Sequence, residues 1–191
     1  MRRIRQRARS GLAGVVYTAP ANPHLSAVPV ANDSLVKTIL APIDFSPASH
    51  RVIASAVELA RRLRGRVVLL HAVERPVIRA GLRLIHLQVS AFTQALEAGA
   101  RQHLLRVQRD LVKRRTSVET RCVTGAVVPA ILAAAQQLGA NYLILGSHGH
   151  NAGSQRVVGG TAAGVVHSAI CPVVIVPAAL RRRPVRPAHS S

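Results

Sequence analysis

The stretch that decides the fold reads YLIL at Tyr142–Leu145, GSHG at Gly146–Gly149 and GGT at Gly159–Thr161. The first part is apolar like a buried parallel strand, and glycines at the corner after a strand let backbone N–H groups approach an anion closely. The residues that follow Gly159 indicate a helix start, whose unpaired N–H groups and positive dipole end suit a phosphate. This pattern predicts a phosphate site between a strand and a helix.

The glycine spacing resembles the nucleotide-binding signature of the universal stress protein family, which is Gly, two residues, Gly, nine residues, Gly, then Ser or Thr. Gly146, Gly149 and Gly159 match in register, but Gly160 stands where the family has its hydroxyl residue and Thr161 follows one place late. Side chains one place apart on a helix point about 100° from each other. The departure therefore predicts weakened nucleotide binding, and a gain in affinity from Gly160→Ser.

Two further segments carry the same resemblance, Ile39–Ser46 at its opening and Ala169–Val176 at its close, so that it covers residues 37–177. It implies an α/β fold with an open five-stranded parallel sheet in the order 3-2-1-4-5 and helices on both faces. The implied domain spans residues 35–178.

The hydrophobic pattern independently alternates strands with helices. Strand patterns occur at 36–42, 66–73, 117–124, 141–145 and 173–176, and helical patterns occur after residue 46 and at 80–115, 129–138 and 160–169. Ser46 and Pro47 are typical of an N-cap and a first helical residue, and Gly65 is typical of a helix stop. Residues 75–90 are less regular, and a loop with a short helix fits them. The alternation predicts a parallel sheet with right-handed crossovers.

Positive charge is concentrated at both ends of this 191-residue chain, whose net charge is +19. Residues 1–10 hold five arginines, and a second cluster comprises Arg181–Arg183 and Arg186. The composition predicts a basic disordered extension at 1–34 and a basic, Pro-rich disordered tail at 179–191. Solvated charge is the plain interpretation, and attraction to nucleic acid or an anionic membrane is the alternative. An acid-poor amino-terminal segment is also typical of a transit peptide or of a misassigned start.

Nucleic acid is disfavoured as a partner because the chain offers few rings on which bases could stack. Aromatic residues make up 2% of the sequence. No apolar run is long enough to span a bilayer, and the two cysteines, Cys122 and Cys171, lack CxxC or metal-ligand spacing. We therefore expect no membrane partner and a reducing, cytoplasmic location.

The implied strand order places a crevice at the carboxyl ends of strands 1 and 4, because their connections leave in opposite directions there. Asp44 and Gly146 follow or end those two strands. The resemblance implies that the crevice binds ATP, with or without Mg²⁺. The implied contact residues are Pro42, Ile43, Asp44, Ala72, Gly146, Gly149, His150, Gly159, Gly160 and Thr161.

Each of these roles has a structural alternative. Asp44 could accept bonds from ribose or base donors, or could merely cap the turn before the first helix. Ala72 matches a family position whose backbone pairs with the adenine edge, or it is an ordinary strand residue. Tight turns requiring positive φ would explain one or two of the glycines but not the set. Arg156 is either a phosphate neighbour or a solvated loop residue.

Histidine could act here in two ways. His148 and His150 flank one glycine, but two histidines without a third ligand do not make a metal site, so we expect no metal. A basic residue at 150 is common in the family, and its partial protonation would make phosphate occupancy depend on pH.

Catalytic motifs are absent from the sequence. It contains neither a Walker run nor Gly-x-Gly-x-x-Gly nor Gly-x-Ser-x-Gly. Asp44, Ser46 and His50 superficially resemble a triad, but an N-cap accounts more simply for the serine. We therefore expect no catalytic residues and no enzyme activity.

The resemblance implies an ATP-binding stress-response regulator whose occupancy alters dimer or partner interactions. It also implies a homodimer that pairs through the strand Val173–Val176. The alternatives are a nucleotide-free stress protein that acts only by protein contacts, favoured by Gly160, and a slow ATP hydrolase.

Overall fold

The computed structural model describes residues 15–17, 36–74, 83–113, 116–148 and 158–177. The elements, in chain order, are β1 (Val15–Tyr17), β2 (Thr38–Pro42), α1 (Ser49–Leu63), β3 (Arg66–Val73), α2 (Arg83–Val112), β4 (Val118–Thr124), α3 (Val127–Gln137), β5 (Tyr142–Gly146), α4 (Gly160–Ser168) and β6 (Val173–Val176). Among these described helices none has the length and apolarity needed to cross a membrane.

Five parallel strands form the sheet in the order β4-β3-β2-β5-β6, and β1 is added at the β6 edge. Numbered without β1, this is the predicted order 3-2-1-4-5, which is confirmed. Strands β3, β5 and β6 are near-continuous apolar runs because both faces of the sheet are covered there. The edge strand β4 also carries Glu119 and Arg121.

Alternate residues of the central strand β2 point to opposite faces, and each face has its own core. Ile39 packs with residues of α1 and α2, such as Val52 and Leu104. Leu40 packs with residues of α3 and α4, such as Ile131 and Val165. Helices therefore cover both faces, as predicted.

The start of the first helix differs from the sequence prediction. Helix α1 begins at Ser49, its N-cap is Ala48 with no side-chain cap bond, and the buried hydroxyl of Ser46 has no hydrogen-bond partner. The predicted N-cap role of Ser46 is therefore wrong. The reason is local: the Asp44 carboxylate accepts the backbone N–H of Ser46 at 3.0 Å, which fixes a turn before the helix starts.

The predicted helix stop at Gly65 is correct in place but works by a different mechanism. The residue in the left-handed conformation is Arg64, with φ 51°. At Gly65 a Cβ atom would lie 2.3 Å from the carbonyl oxygen of Lys37 and 2.9 Å from Ile39 Cδ1. Glycine is therefore required because β2 passes too close for any side chain.

The outer edge of β6 is occupied by the short strand β1. Val15–Tyr17 lies inside the segment predicted to be disordered, yet it pairs antiparallel with β6, Val16 opposite Val174. In this structure β1 therefore occupies the edge of β6 through which the predicted homodimer would pair. The rest of the predicted extension and the tail at 179–191 lie outside the described residues.

Candidate nucleotide site

A cleft of about 190 Å³ opens at the carboxyl ends of β2 and β5, beside the end of β3. These strands are neighbours through parallel pairing, Ile39 opposite Tyr142 and Ala41 opposite Leu69. The start of α4 closes one side of the cleft and the start of α1 another. This is the switch point where open α/β sheets hold ligands.

Six of the predicted contact residues line this cleft. They are Pro42, Ile43, Asp44, Ala72, Gly146 and Thr161. Gly159 and Gly160 precede Thr161 at the start of α4 without lining the cleft itself. Gly149 and His150, together with Arg156, lie outside the described residues.

Asp44 anchors the turn that forms one wall of the cleft. Its Oδ1 accepts a hydrogen bond from the Ser49 hydroxyl at 2.9 Å and from the Ser46 backbone N–H at 3.0 Å. The Asp44 backbone N–H in turn donates to Ser49 Oγ at 3.3 Å. The carboxylate therefore holds the turn in place as well as facing the cleft.

Close packing of the loop explains two of the glycines. A Cβ atom at Gly146 would lie 3.2 Å from the carbonyl oxygen of His148, and one at Gly159 would lie 3.3 Å from that of Ser147. Among described glycines only Gly125 and Gly139 have positive φ. Close packing of the loop therefore favours glycine at both positions, with or without a bound phosphate.

The loop closes on itself at the base of α4. The backbone N–H of Gly159 donates to the Ser147 carbonyl at 2.7 Å. Gly159 is the N-cap of the nine-residue helix α4 and, having no side chain, leaves the first turn without a side-chain cap bond. The helix N-terminus therefore presents backbone donors next to the cleft.

The helix start also changes how the missing hydroxyl is interpreted. Thr161 lines the cleft whereas Gly160 does not, and a Cβ at Gly160 would meet no atom within 4 Å. Thr161 therefore carries the side-chain hydroxyl at this wall, one residue later than the family signature.

Several lining residues were missed from the sequence, among them Ser46, Ser49 and His148. Ser46 is 3% exposed and its hydroxyl is the unsatisfied buried side-chain group of the described residues. The only sequence signal for the serines was the Asp-x-Ser and Asp-x-x-x-x-Ser spacing, which favours a turn closed by the carboxylate.

His71 fixes the wall of the cleft from β3. Its Nδ1 lies 2.8 Å from the carbonyl oxygen of Ile43. Because a carbonyl oxygen can only accept, the Nδ1–H group is the donor of this hydrogen bond. The imidazole also stacks on Phe45 with ring centroids 4.3 Å apart, and His103 of α2 stacks on the other face of Phe45 at the same distance. Phe45 itself has φ 61°, in the left-handed region.

A second, more open cleft lies on the other side of this stack. It measures about 580 Å³ and shares His71, Ala72 and Val127 with the first. The two clefts therefore adjoin each other at these shared residues.

The described lining of the first cleft is nearly free of side-chain charge. Its acidic residue is Asp44, its histidines are His71 and His148, and no Arg or Lys is among the described residues that line it. Among the described residues, the groups offered to an anion are therefore mainly backbone donors.

Catalytic and metal alternatives gain no structural support within the described ranges. The Asp44 carboxylate bonds to Ser49 and the Ser46 backbone, while His50 is exposed, so the triad geometry is not formed. Burial raises the pKa of Cys171 to about 11 and also raises that of Cys122, which disfavours a nucleophilic thiolate. No group of three metal-ligating side chains occurs among the described residues.

Comparison with known proteins agrees with this architecture. Residues 36–177 match the universal stress protein family. Universal stress protein A homolog 1 of Coxiella burnetii is 30% identical over 141 residues, covering 73% of this chain and 95% of the relative.

Solved structures show the same fold. Universal stress protein UspA from Lactobacillus plantarum has a TM-score of 0.64 at 26% identity, covering 73% of this chain and 97% of its own. A universal stress protein solved in complex with cAMP has a TM-score of 0.56 at 22% identity, covering 75% of this chain and 98% of its own. With its sheet order, its switch-point cleft and a family match across the whole domain, the chain belongs to the universal stress protein family.

Proposed function

We propose that this protein binds an adenine nucleotide, ATP, in the cleft at the ends of β2 and β5, and that occupancy regulates its contacts with a second copy or another partner. In this proposal the protein acts in the cytoplasm, and its role is regulatory rather than catalytic. One observation carries the proposal: Asp44, Gly146 and Thr161, distant in sequence, line a single cleft beside the N-terminus of a helix.

The lining suits the two ends of a nucleotide. The backbone of Ala72 and the Asp44 carboxylate would bind the nucleoside, because both lie at the β2 and β3 side of the cleft. The start of α4 would bind phosphate through backbone N–H groups. Mg²⁺ would be held chiefly by the phosphates and water, since Asp44 is the one acidic residue in the described lining.

A relative supports the class of ligand. The universal stress protein in complex with cAMP shares the fold of this chain over most of its length. Since cAMP has a single phosphate, comparing ATP, AMP and cAMP shows how much of the affinity comes from the additional phosphates.

The second candidate is a nucleotide-free stress protein that acts by protein contacts. It is favoured by the hydrogen bonds that already engage Asp44 Oδ1 within the turn. Slow ATP hydrolysis has less support because the Asp44 carboxylate in the lining is already engaged through Oδ1 by the Ser49 hydroxyl and the Ser46 backbone N–H.

Purification separates the two candidates. Protein purified without added nucleotide and then heat-denatured should release a ligand that absorbs as adenine, identified by chromatography. The stripped protein should then bind ATP in titration calorimetry with a 1:1 stoichiometry. Protein that releases no adenine and gives no ATP binding heat would favour the nucleotide-free role.

The homodimer remains a proposal, and β1 alters how it would form. Strand β6 pairs with β5 on one side and with β1 on the other, so neither edge is open. A dimer that pairs β6 with β6 therefore requires β1 to leave. The three residues of β1 offer few hydrogen bonds, so a second copy would compete effectively.

Proline substitution in β1 tests this competition. Proline lacks the backbone N–H that pairs strands. The double variant Val15→Pro/Val16→Pro removes the N–H donor whichever of the two residues donates to β6. We expect light scattering to show a larger dimer fraction for this variant than for the wild type, while Ala27→Pro, outside β1, serves as the control. An unchanged dimer fraction would remove β1 as a competitor for this edge.

A further inference from the structure

A buried hydroxyl in the wall of the candidate cleft has no hydrogen-bond partner. Ser46 lines the cleft and is 3% exposed, and its Oγ is the one buried side-chain polar atom without a partner in the part of the chain that the structure describes. Such a group destabilises the fold, because it has lost its hydrogen bonds to water and gained none in return. Native proteins satisfy nearly all of these groups, so a ligand that completes the bond is the natural explanation for one that lines a cleft.

The neighbouring serine of the same wall is used by the turn itself. The Ser49 hydroxyl donates to Asp44 Oδ1 at 2.9 Å and accepts the Asp44 backbone N–H at 3.3 Å. Ser46 takes part through its backbone alone: its N–H donates to Asp44 Oδ1 at 3.0 Å, and its carbonyl oxygen accepts the Ser49 backbone N–H at 2.9 Å. The backbone of Ser46 is therefore fixed, while no hydrogen bond holds its hydroxyl in one of the three staggered rotamers. The hydroxyl can turn to meet a ligand.

The charge beside Ser46 decides which part of a nucleotide suits this position. The Asp44 carboxylate is bonded to the Ser46 backbone N–H and lines the same cleft. A phosphate next to this carboxylate would be repelled, and the start of α4 offers phosphate a better place. A serine hydroxyl both donates and accepts, so its best partner is a neutral group that does the same. In an adenine nucleotide, the ribose hydroxyls are the neutral groups that do both.

We propose that the Ser46 hydroxyl binds a ribose hydroxyl of the nucleotide and makes the cleft select ribonucleotides over deoxyribonucleotides. This inference rests on the proposed nucleotide function. Folding has already removed the Ser46 hydroxyl from water, so its bond to the ligand is made without a further loss of solvation at this atom. A site built to bind a hydroxyl rejects the analogue that lacks it, because its own polar group is then left unpaired.

The test removes each half of the bond in turn. Titration calorimetry of the full chain compares ATP with 2′-deoxy-ATP and 3′-deoxy-ATP, for the wild type and for Ser46→Ala. We expect the wild type to bind one of the two deoxy ligands about three- to tenfold more weakly than ATP. Ser46→Ala should lose the same factor towards ATP and should bind that deoxy ligand as tightly as ATP, because the two changes remove the two partners of one hydrogen bond.

Thermal unfolding without ligand gives a second readout. Ser46→Ala removes a buried group that has no partner, so its Tm should equal that of the wild type or exceed it by about 2 to 4 °C. Ser49→Ala removes the hydroxyl that bonds Asp44, so its Tm should fall. A fall for Ser46→Ala as large as that for Ser49→Ala would assign the Ser46 hydroxyl to the turn and overturn the inference.

The matched control for binding is a serine of the same helix. Ser55 lies in α1, is partly buried and does not line the cleft. Ser55→Ala should therefore leave the affinities for ATP and both deoxy ligands unchanged.

Three binding results would overturn the inference while leaving the proposed function intact. One is an ATP affinity that Ser46→Ala does not weaken. Another is a wild type that binds ATP and both deoxy ligands equally. The third is a variant that loses the same factor for all three ligands, since a purely structural effect would weaken them alike. A wild-type chain that binds no ATP would overturn both proposals together.

Discussion

Gly65→Ala should lower the free energy of unfolding by about 3 kcal/mol, at the upper end for overpacking a close contact. The added Cβ would lie 2.3 Å from the Lys37 carbonyl oxygen and 2.9 Å from Ile39 Cδ1. Backbone cannot move aside here because the same carbonyl accepts the Arg66 backbone N–H at 2.8 Å. The strain falls on the β2–β3 pairing that supports the cleft. Urea denaturation, followed by circular dichroism, measures the free energy of unfolding of the variant and the wild type.

Gly99→Ala is the matched control, because Gly99 lies within α2 and a Cβ there would meet no atom within 4 Å. Alanine is favoured over glycine in a helix interior by up to about 1 kcal/mol, so this variant should be slightly more stable than the wild type. Equal stability of the two variants would contradict the close approach of β2 and the α1–β3 corner.

Thr161→Val should weaken ATP binding by about ten- to a hundredfold. The substitution keeps the shape of the side chain but removes the hydroxyl, and a hydrogen bond to a charged group contributes about 1.5 to 3 kcal/mol. Thr161 is chosen because it lines the cleft at the start of α4. Titration calorimetry with ATP gives the affinity, and thermal unfolding without ligand should be nearly unchanged because Thr161 is exposed.

Gly160→Ser is the companion variant. The sequence alone predicted a gain in affinity from this change, but the placement of Thr161 on the cleft reverses that expectation. A side chain at 160 has open space around it, so the variant should fold normally and bind ATP within about twofold of the wild type. A large gain with Gly160→Ser, together with no loss in Thr161→Val, would show that position 160 is the phosphate contact.

The sheet was predictable because apolar runs and helical patterns alternate between residues 36 and 177, with only residues 75–90 less regular. Strand order came from the resemblance, and the pairing of β2 with β5 then brought Asp44 and Gly146 together. These are features of long, strongly patterned segments, which local sequence specifies well.

The misses have two physical causes, which are a side-chain contact within the turn before α1 and contacts between distant segments at Gly65 and β1. Ser46 looked like an N-cap, but the Asp44 carboxylate bonds the Ser49 hydroxyl and shifts the helix start to Ser49. Gly65 looked like a residue needed for its φ angle, but glycine is needed there because β2 passes too close for a side chain. Strand β1 is three residues long in a segment of basic composition, so only its pairing with β6 reveals it.

The most direct measurement of the central claim is a crystal structure of the full chain grown with ATP. The account predicts nucleotide density between the carboxyl ends of β2 and β5, with phosphate at the N-terminus of α4 beside Thr161 and the nucleoside beside Asp44 and Ala72. Density for the nucleotide elsewhere on the molecule, or an empty cleft at saturating ATP, would contradict it.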